Sequence, residues 1–205
     1  MFCTKCGKEL DEGARFCRVC GSPTKVVQTA AEPVQLPPTA SSAALASKVQ
    51  RLISSKNVDG LRELAGSGDN AVTDLLVDVL DKDPDPGAKV IAIDSLGLTS
   101  DPRAVRVLVA VFNSSTGDPR KIAAQSLANI VASRVRSDEA IPSLKVIAKD
   151  SSLDIMIRSQ AARALCRFVD NDVGVEQFLA EIKNDPEEDL SIRMAATFIK
   201  INKEL

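Results

Sequence analysis

The chain of 205 residues contains no His, no Trp and no Tyr, and its six Phe bring aromatics to only 3%. Without imidazole, Ser-His and Cys-His relays and His-metal sites are excluded. So few rings build neither an aromatic cage nor a run of stacking platforms for bases. Charge of one sign is also scarce in excess: 26 Lys and Arg against 28 Asp and Glu leave a net −2. No global basic field exists of the kind that draws a chain to nucleic acid or to a membrane surface. The longest aliphatic run, Val107 to Phe112, is six residues, where a membrane span needs about 20. The opening Met1-Phe2-Cys3-Thr4-Lys5-Cys6 has no apolar stretch behind its charge, so no secretory signal is expected. What is present is a 44% hydrophobic, 26% charged chain with an aliphatic, helix-leaning composition and five cysteines.

Composition divides the chain into residues 1–23, 24–43 and 44–205. The first stretch holds four of the five Cys and three of the ten Gly. The second carries Pro33, Pro37 and Pro38 with neither helical nor alternating period, which reads as a linker stiffened toward polyproline II in its middle. From Ala44 the pattern is helical to the end.

In the first stretch, Cys3-x-x-Cys6-Gly7 and Cys17-x-x-Cys20-Gly21 form two matched pairs. A two-residue spacer lets one tight turn present two thiolates to one ion, and zinc takes four in a tetrahedron. The following glycines can turn backbone amides toward the sulfurs. A fold of this size cannot bury enough apolar surface to hold itself, so the metal supplies folding free energy. In a chain expected in the cytoplasm the thiols stay reduced, which disfavours two disulfides; a rubredoxin-like iron site needs the same four sulfurs and stays open beside one Zn²⁺. The stretch resembles the short N-terminal zinc-ribbon modules of many bacterial and archaeal proteins. Phe16-Cys17 and both glycines match their pattern, while Thr4 and Arg18 stand where that family often has Pro. Lys5, Lys8, Arg15, Arg18 and Lys25 against Glu9, Asp11 and Glu12 give residues 1–25 a net +2. Zinc with four thiolates is itself net −2, so these cations suffice only to neutralise the site, and nucleic-acid binding through the ribbon is the less favoured alternative.

The remainder is repetitive. Val72-x-x-Leu75-Leu76-x-x-Val79, Val105-x-x-Leu108-Val109-x-x-Phe112, Ile141-x-x-Leu144-Lys145-x-x-Ala148 and Val175-x-x-Phe178-Leu179-x-x-Ile182 each draw one helical face. Each is followed by a second pattern: Lys89-x-x-Ala92-Ile93-x-x-Leu96, Arg120-x-x-Ala123-Ala124-x-x-Leu127, Arg158-x-x-Ala161-Ala162-x-x-Leu165 and Ile192-x-x-Ala195-Ala196-x-x-Ile199. Two helices per unit of about 34 residues predict a solenoid in which each unit buries its face against the next. Asp85-Pro86, Asp101-Pro102, Asp118-Pro119 and Asp185-Pro186 each read as an N-cap followed by Pro at the first helical position, with Glu188 spaced as a capping-box partner of Asp185. Residues 44–66 read as a degenerate pair capping the N-terminal end.

Ser95-Leu96-Gly97-Leu98-Thr99-Ser100-Asp101-Pro102-Arg103-Ala104-Val105 resembles HEAT repeats, particularly the short units of phycobilisome-lyase relatives and bacterial scaffold proteins. The resemblance implies an all-α, HEAT-like solenoid of about four helix pairs plus an N-terminal cap, and partner binding on its curved surface. A subset of that family attaches bilin chromophores, but no site residues of that activity can be matched here.

Single sites are read more plainly. Cys166, in an Ala-rich stretch without a base, is expected to be a buried, inert thiol. Asp81-x-Asp83-x-Asp85 fails as a calcium loop, since Pro86 and Ala92 stand where Gly and Glu are required. Gly66-Ser67-Gly68 is a turn, not a phosphate loop. Arg120, Lys121, Arg158, Arg163, Arg167, Arg193 and Lys200 fall on the second helices, which line the inner surface in HEAT solenoids. They fit either an internal ladder with loop Asp of adjacent units, the commoner use of such charge, or a basic inner groove for an acidic protein segment, with Arg120, Arg158, Arg163, Arg167 and Arg193 as partner-binding residues. The expectation is a non-enzymatic, cytoplasmic zinc-binding scaffold with a protein partner, no membrane and no small-molecule substrate. The alternatives are a nucleic-acid-associated protein and a lyase-like enzyme.

Overall fold

The computed structural model describes residues 40–197, all within the second of the two units into which the chain divides, Thr39–Leu205. Ten α-helices follow one another among the described residues: α1 (Ala40–Ser54), α2 (Val58–Gly66), α3 (Asn70–Lys82), α4 (Pro86–Leu96), α5 (Pro102–Ser114), α6 (Gly117–Ser133), α7 (Ile141–Lys149), α8 (Ile155–Leu165), α9 (Val173–Asn184) and α10 (Leu190–Thr197). Short 3-10 turns at Asp138–Ala140 and Cys166–Phe168 lead into α7 and out of α8. None of these helices is long and apolar enough to cross a membrane.

Helix starts follow the local chemistry at two of the four Asp-Pro steps. Asp85 accepts from the Gly87 N–H and Asp101 from the Arg103 N–H, both at 2.9 Å, with Pro at the first helical position. The other two steps differ from expectation. Gly117, at φ 64°, opens α6 one residue before Asp118, which therefore sits inside the first turn. Asp185 ends α9 and accepts from the Glu187 N–H at 3.0 Å, while α10 begins only at Leu190. There Asp189 caps by accepting from the Ser191 N–H at 2.7 Å, so Asp185 and Glu188 form no capping box. Likewise α1 begins at Ala40 rather than Ala44, directly behind the Pro37-Pro38 pair.

Odd-numbered helices form one layer and even-numbered helices the other. The apolar columns meet between them: Val72, Leu76, Val105, Leu108, Leu144, Val175 and Leu179 are fully buried, as are Ala92, Leu96, Ala123, Ala124, Leu127, Ala161, Ala162, Leu165 and Ile192. Each large aliphatic side chain so buried contributes roughly 1.5–3 kcal/mol against backbone and rotamer entropy. The small residues decide the shape. Ala92 on α4 and the alanine pairs on α6, α8 and α10 let these four helices pack closely side by side, whereas α3, α5, α7 and α9 stand further apart. At one point even alanine is too large: a Cβ on Gly97 would lie 2.7 Å from Cβ and 2.8 Å from Cα of Ser126 on α6. Lys145, the charged member of an apolar column, is accommodated because its Nζ reaches past α7 to donate to the Gly174 carbonyl at 2.9 Å.

Candidate metal centre and interaction surface

Cys3, Cys6, Cys17 and Cys20 lie outside the described residues, so the fit of a metal rests on donor chemistry: four thiols in two Cys-x-x-Cys-Gly pairs suit zinc. Among the described residues no group of three or more Cys, Asp or Glu is placed to hold a metal ion, and the Asp81–Asp85 run is used locally, with Asp83 accepting from the Asp85 N–H at 2.9 Å.

Four of the five arginines singled out from the sequence are engaged inside the solenoid. Arg120 donates to the Phe112 carbonyl at 2.8 Å, lies 4.0 Å over the Phe112 ring and meets Asp150 at 3.4 Å. Arg158 donates to the Ala148 carbonyl at 3.0 Å and to Glu188 at 2.6 Å. Arg193 donates to the Lys183 carbonyl at 3.2 Å, and Arg167 to the Val131 carbonyl. Each closes a helix end, where the last carbonyls lack intrahelical partners. Arg120 and Arg158 thus follow the ladder arrangement, with Asp150 and Glu188 as its acids, while Arg167 and Arg193 bond to backbone carbonyls. Arg163 alone of the five is exposed, with none of these bonds.

The ladder runs further than the sequence showed. On α5, Arg103 binds the almost fully buried Asp101 through Nε and Nη2, reaches Asp74 on α3 at 2.6 Å and the Asn70 carbonyl at 3.3 Å. Burial alone would push the Asp101 carboxyl up, but the Arg103 side chain and N–H outweigh it and hold the group below its ordinary value. Asp150 is likewise held low, first by the Ser152 hydroxyl, against burial, then by the Ser152 N–H and Arg120. Arg62–Asp94 at 2.9 Å, Arg106–Glu139 at 2.9 Å and Lys149–Glu181 at 3.7 Å complete the bridges between successive pairs. One sequence signal could have found part of this: Arg120 and Arg158 both meet an acid 30 residues on.

Residues 2–24 match the zinc-ribbon domain family, and residues 60–128 match HEAT repeats. The helix pairs within residues 60–128, from α2 to α6, are HEAT repeats. No curated protein matches the chain. The layer of α4, α6, α8 and α10 has an uneven open surface. At the α8 end Met156 is 66% and Ile155 45% exposed, with Arg163 on the same side of the helix as Met156. On α10, Leu190 and Met194 are 65% and 56% exposed. All four positions lie outside the apolar columns read from the sequence.

The remaining features are quieter. Cys166 donates to the Ala162 and Ala195 carbonyls, and burial pushes its thiol up to about 11, far from a reactive thiolate. Clefts of about 440 and 340 Å³ flank α3. Of their charged lining residues, Asp78 pairs with Lys82 and Asp74 with Arg103, while Asp83 accepts from the Asp85 N–H.

Proposed function

We propose that the chain is a cytoplasmic, non-enzymatic interaction module in which a ribbon holding one zinc ion through Cys3, Cys6, Cys17 and Cys20 is tethered by residues 24–43 to a HEAT solenoid that binds a protein partner on its inner layer. HEAT repeats generally mediate protein interactions, and the observation that carries the reading is the α8 surface. There Met156 and Ile155 stand open on a rigid, closely packed layer beside the exposed cation Arg163. Apolar anchors of this kind supply binding energy, while the neighbouring charge selects an acidic segment and its orientation. With Arg120, Arg158, Arg167 and Arg193 occupied internally, Arg163 is the member of the sequence-derived set free to serve a partner. The tether raises the local concentration of the second contact once the first has formed.

The test is photo-crosslinking in cell extract with an apolar photoreactive residue at position 155 or 156, compared with the outer-layer position 110. One discrete adduct from 155 and 156, absent at 110 and lost in Arg163→Glu, is the expected result. Equal labelling at all three positions would remove the inner layer from consideration.

A further inference from the structure

Arg120 and Arg158 hold equivalent places on α6 and α8, each donating to a carbonyl near the end of the preceding helix, Phe112 and Ala148, at 2.8 and 3.0 Å. Counting on from them, Ile122 stands level with Gln160, and Gln125 with Arg163. Asn129 follows Gln125 by one helical turn. The Arg167 guanidinium, donating from the end of α8 to the Val131 carbonyl of α6, holds the two helices in that register. The open face of the pair therefore carries three carboxamides, Gln125, Asn129 and Gln160. None of these side chains has a hydrogen-bond partner among the described residues, and the Gln160 Oε1 is buried without one. Buried polar atoms are nearly always satisfied in folded proteins, so an orphaned oxygen beside two unused amides points to a ligand that satisfies them.

A carboxamide offers a donor and an acceptor, the same two groups that a peptide bond offers in return. A helix spends its backbone groups internally and has only its ends to give, whereas an extended segment keeps them free. Ile122 and Met156 supply apolar contact on this face but stand among polar positions, too interrupted a pattern for the broad apolar stripe of an amphipathic helix.

We infer that the open face of α6 and α8 holds the main chain of an extended segment of the protein partner, its peptide groups on Gln125, Asn129 and Gln160 and one of its carboxylates on Arg163. The terminal torsion of glutamine is broad, so the Gln160 oxygen turns outward to accept a peptide N–H as the segment seats. This site is part of the interaction surface proposed above and depends on it. What it adds is that the partner is recognised through its backbone, with an acid opposite Arg163 setting the register.

The test selects binders to the full chain from two random dodecapeptide libraries, one unconstrained and one built on a helical, alanine-rich frame. Binders are expected from the first, sharing an acidic residue. N-methylation of the backbone amides removes peptide donors while leaving side chains in place; it weakens a selected peptide by about tenfold, as do Gln125→Met and Gln160→Met in the chain. Both variants keep the wild-type melting temperature, the first because Gln125 is exposed and the second because the Gln160 carboxamide is unpaired. Selection against Arg163→Glu replaces the shared acid by a base. Binders lost in Met156→Glu and Arg163→Glu but indifferent to N-methylation and to both Gln→Met changes, or binders from the helical frame, overturn backbone recognition alone and leave the proposed surface standing. No binders from either library, or binders indifferent to Met156 and Arg163, overturn both.

Discussion

Arg158 donates to Glu188 at 2.6 Å across the junction of the last two described helix pairs, and the two side chains are only 12% and 13% exposed. The same arginine closes the end of α7, so one guanidinium serves a helix terminus and a repeat interface together. A shielded pair of this kind is costly to break, because the surviving charge is left without its partner.

Arg158→Met and Glu188→Gln are each expected to lower unfolding stability by about 2–4 kcal/mol in urea titration, with the double variant losing clearly less than the sum. Strictly additive losses would show that the two side chains do not act as a unit.

Gly97 marks the tightest approach between α4 and α6, and its backbone is ordinary right-handed helix at φ −64°. Space and not conformation is therefore what excludes a side chain. Gly97→Ala is expected to cost about 1–3 kcal/mol by overpacking against Ser126, and Ser126→Gly in the same chain to recover part of it. Thermal melts of the single and double variants decide this.

Asp101 and Asp150 are both held below the ordinary carboxylate value of 3.8 in the folded chain. A lowered folded pKa contributes stability that is complete above that ordinary value and is lost as pH falls through the lowered one. Stability should therefore be level in this respect from neutral pH down to about 4 and drop below it. Asp101→Asn should flatten that acid limb, with a lower plateau at neutral pH because the Arg103 contact is weakened. Unfolding free energies measured from pH 2 to 7 test the sign directly.

Purified chain is expected to carry one zinc per molecule by elemental analysis, falling to a small fraction on replacing Cys6 or Cys17 by Ser. The helical signal of the HEAT solenoid should survive chelation, since no described residue of it is placed to bind metal. A helical signal that collapses with chelator would contradict this division of labour.

The architecture was readable because aliphatic periodicity and paired alanines are direct consequences of stacking: the residues that meet between layers recur where the helix turns bring them back. Asp85 and Asp101 were readable as caps for the same local reason. Asp118 and Asp185 misled because an Asp-Pro step sets only a preference. Gly117, free to adopt positive φ, starts α6 earlier, and the turn after Pro186 delays α10 to Leu190. A ladder between these arginines and loop acids of adjacent units was readable in kind, but not that Asp150 and Glu188 are its acids, because they stand in loops where no period marks them. Met156 and Leu190 were missed because a face can be assigned to solvent by pattern while the residue occupying it is apolar.

The two layers are joined by different materials. The even-numbered one is alanine against alanine at short range, while the odd-numbered one is spanned by long side chains such as Arg106 to Glu139 and Lys149 to Glu181, all more than half exposed. Hydrated tethers stretch and re-form at little cost, whereas a dry close contact does not. Under load, the layer joined by such exposed ion pairs is therefore expected to yield before the alanine-lined one.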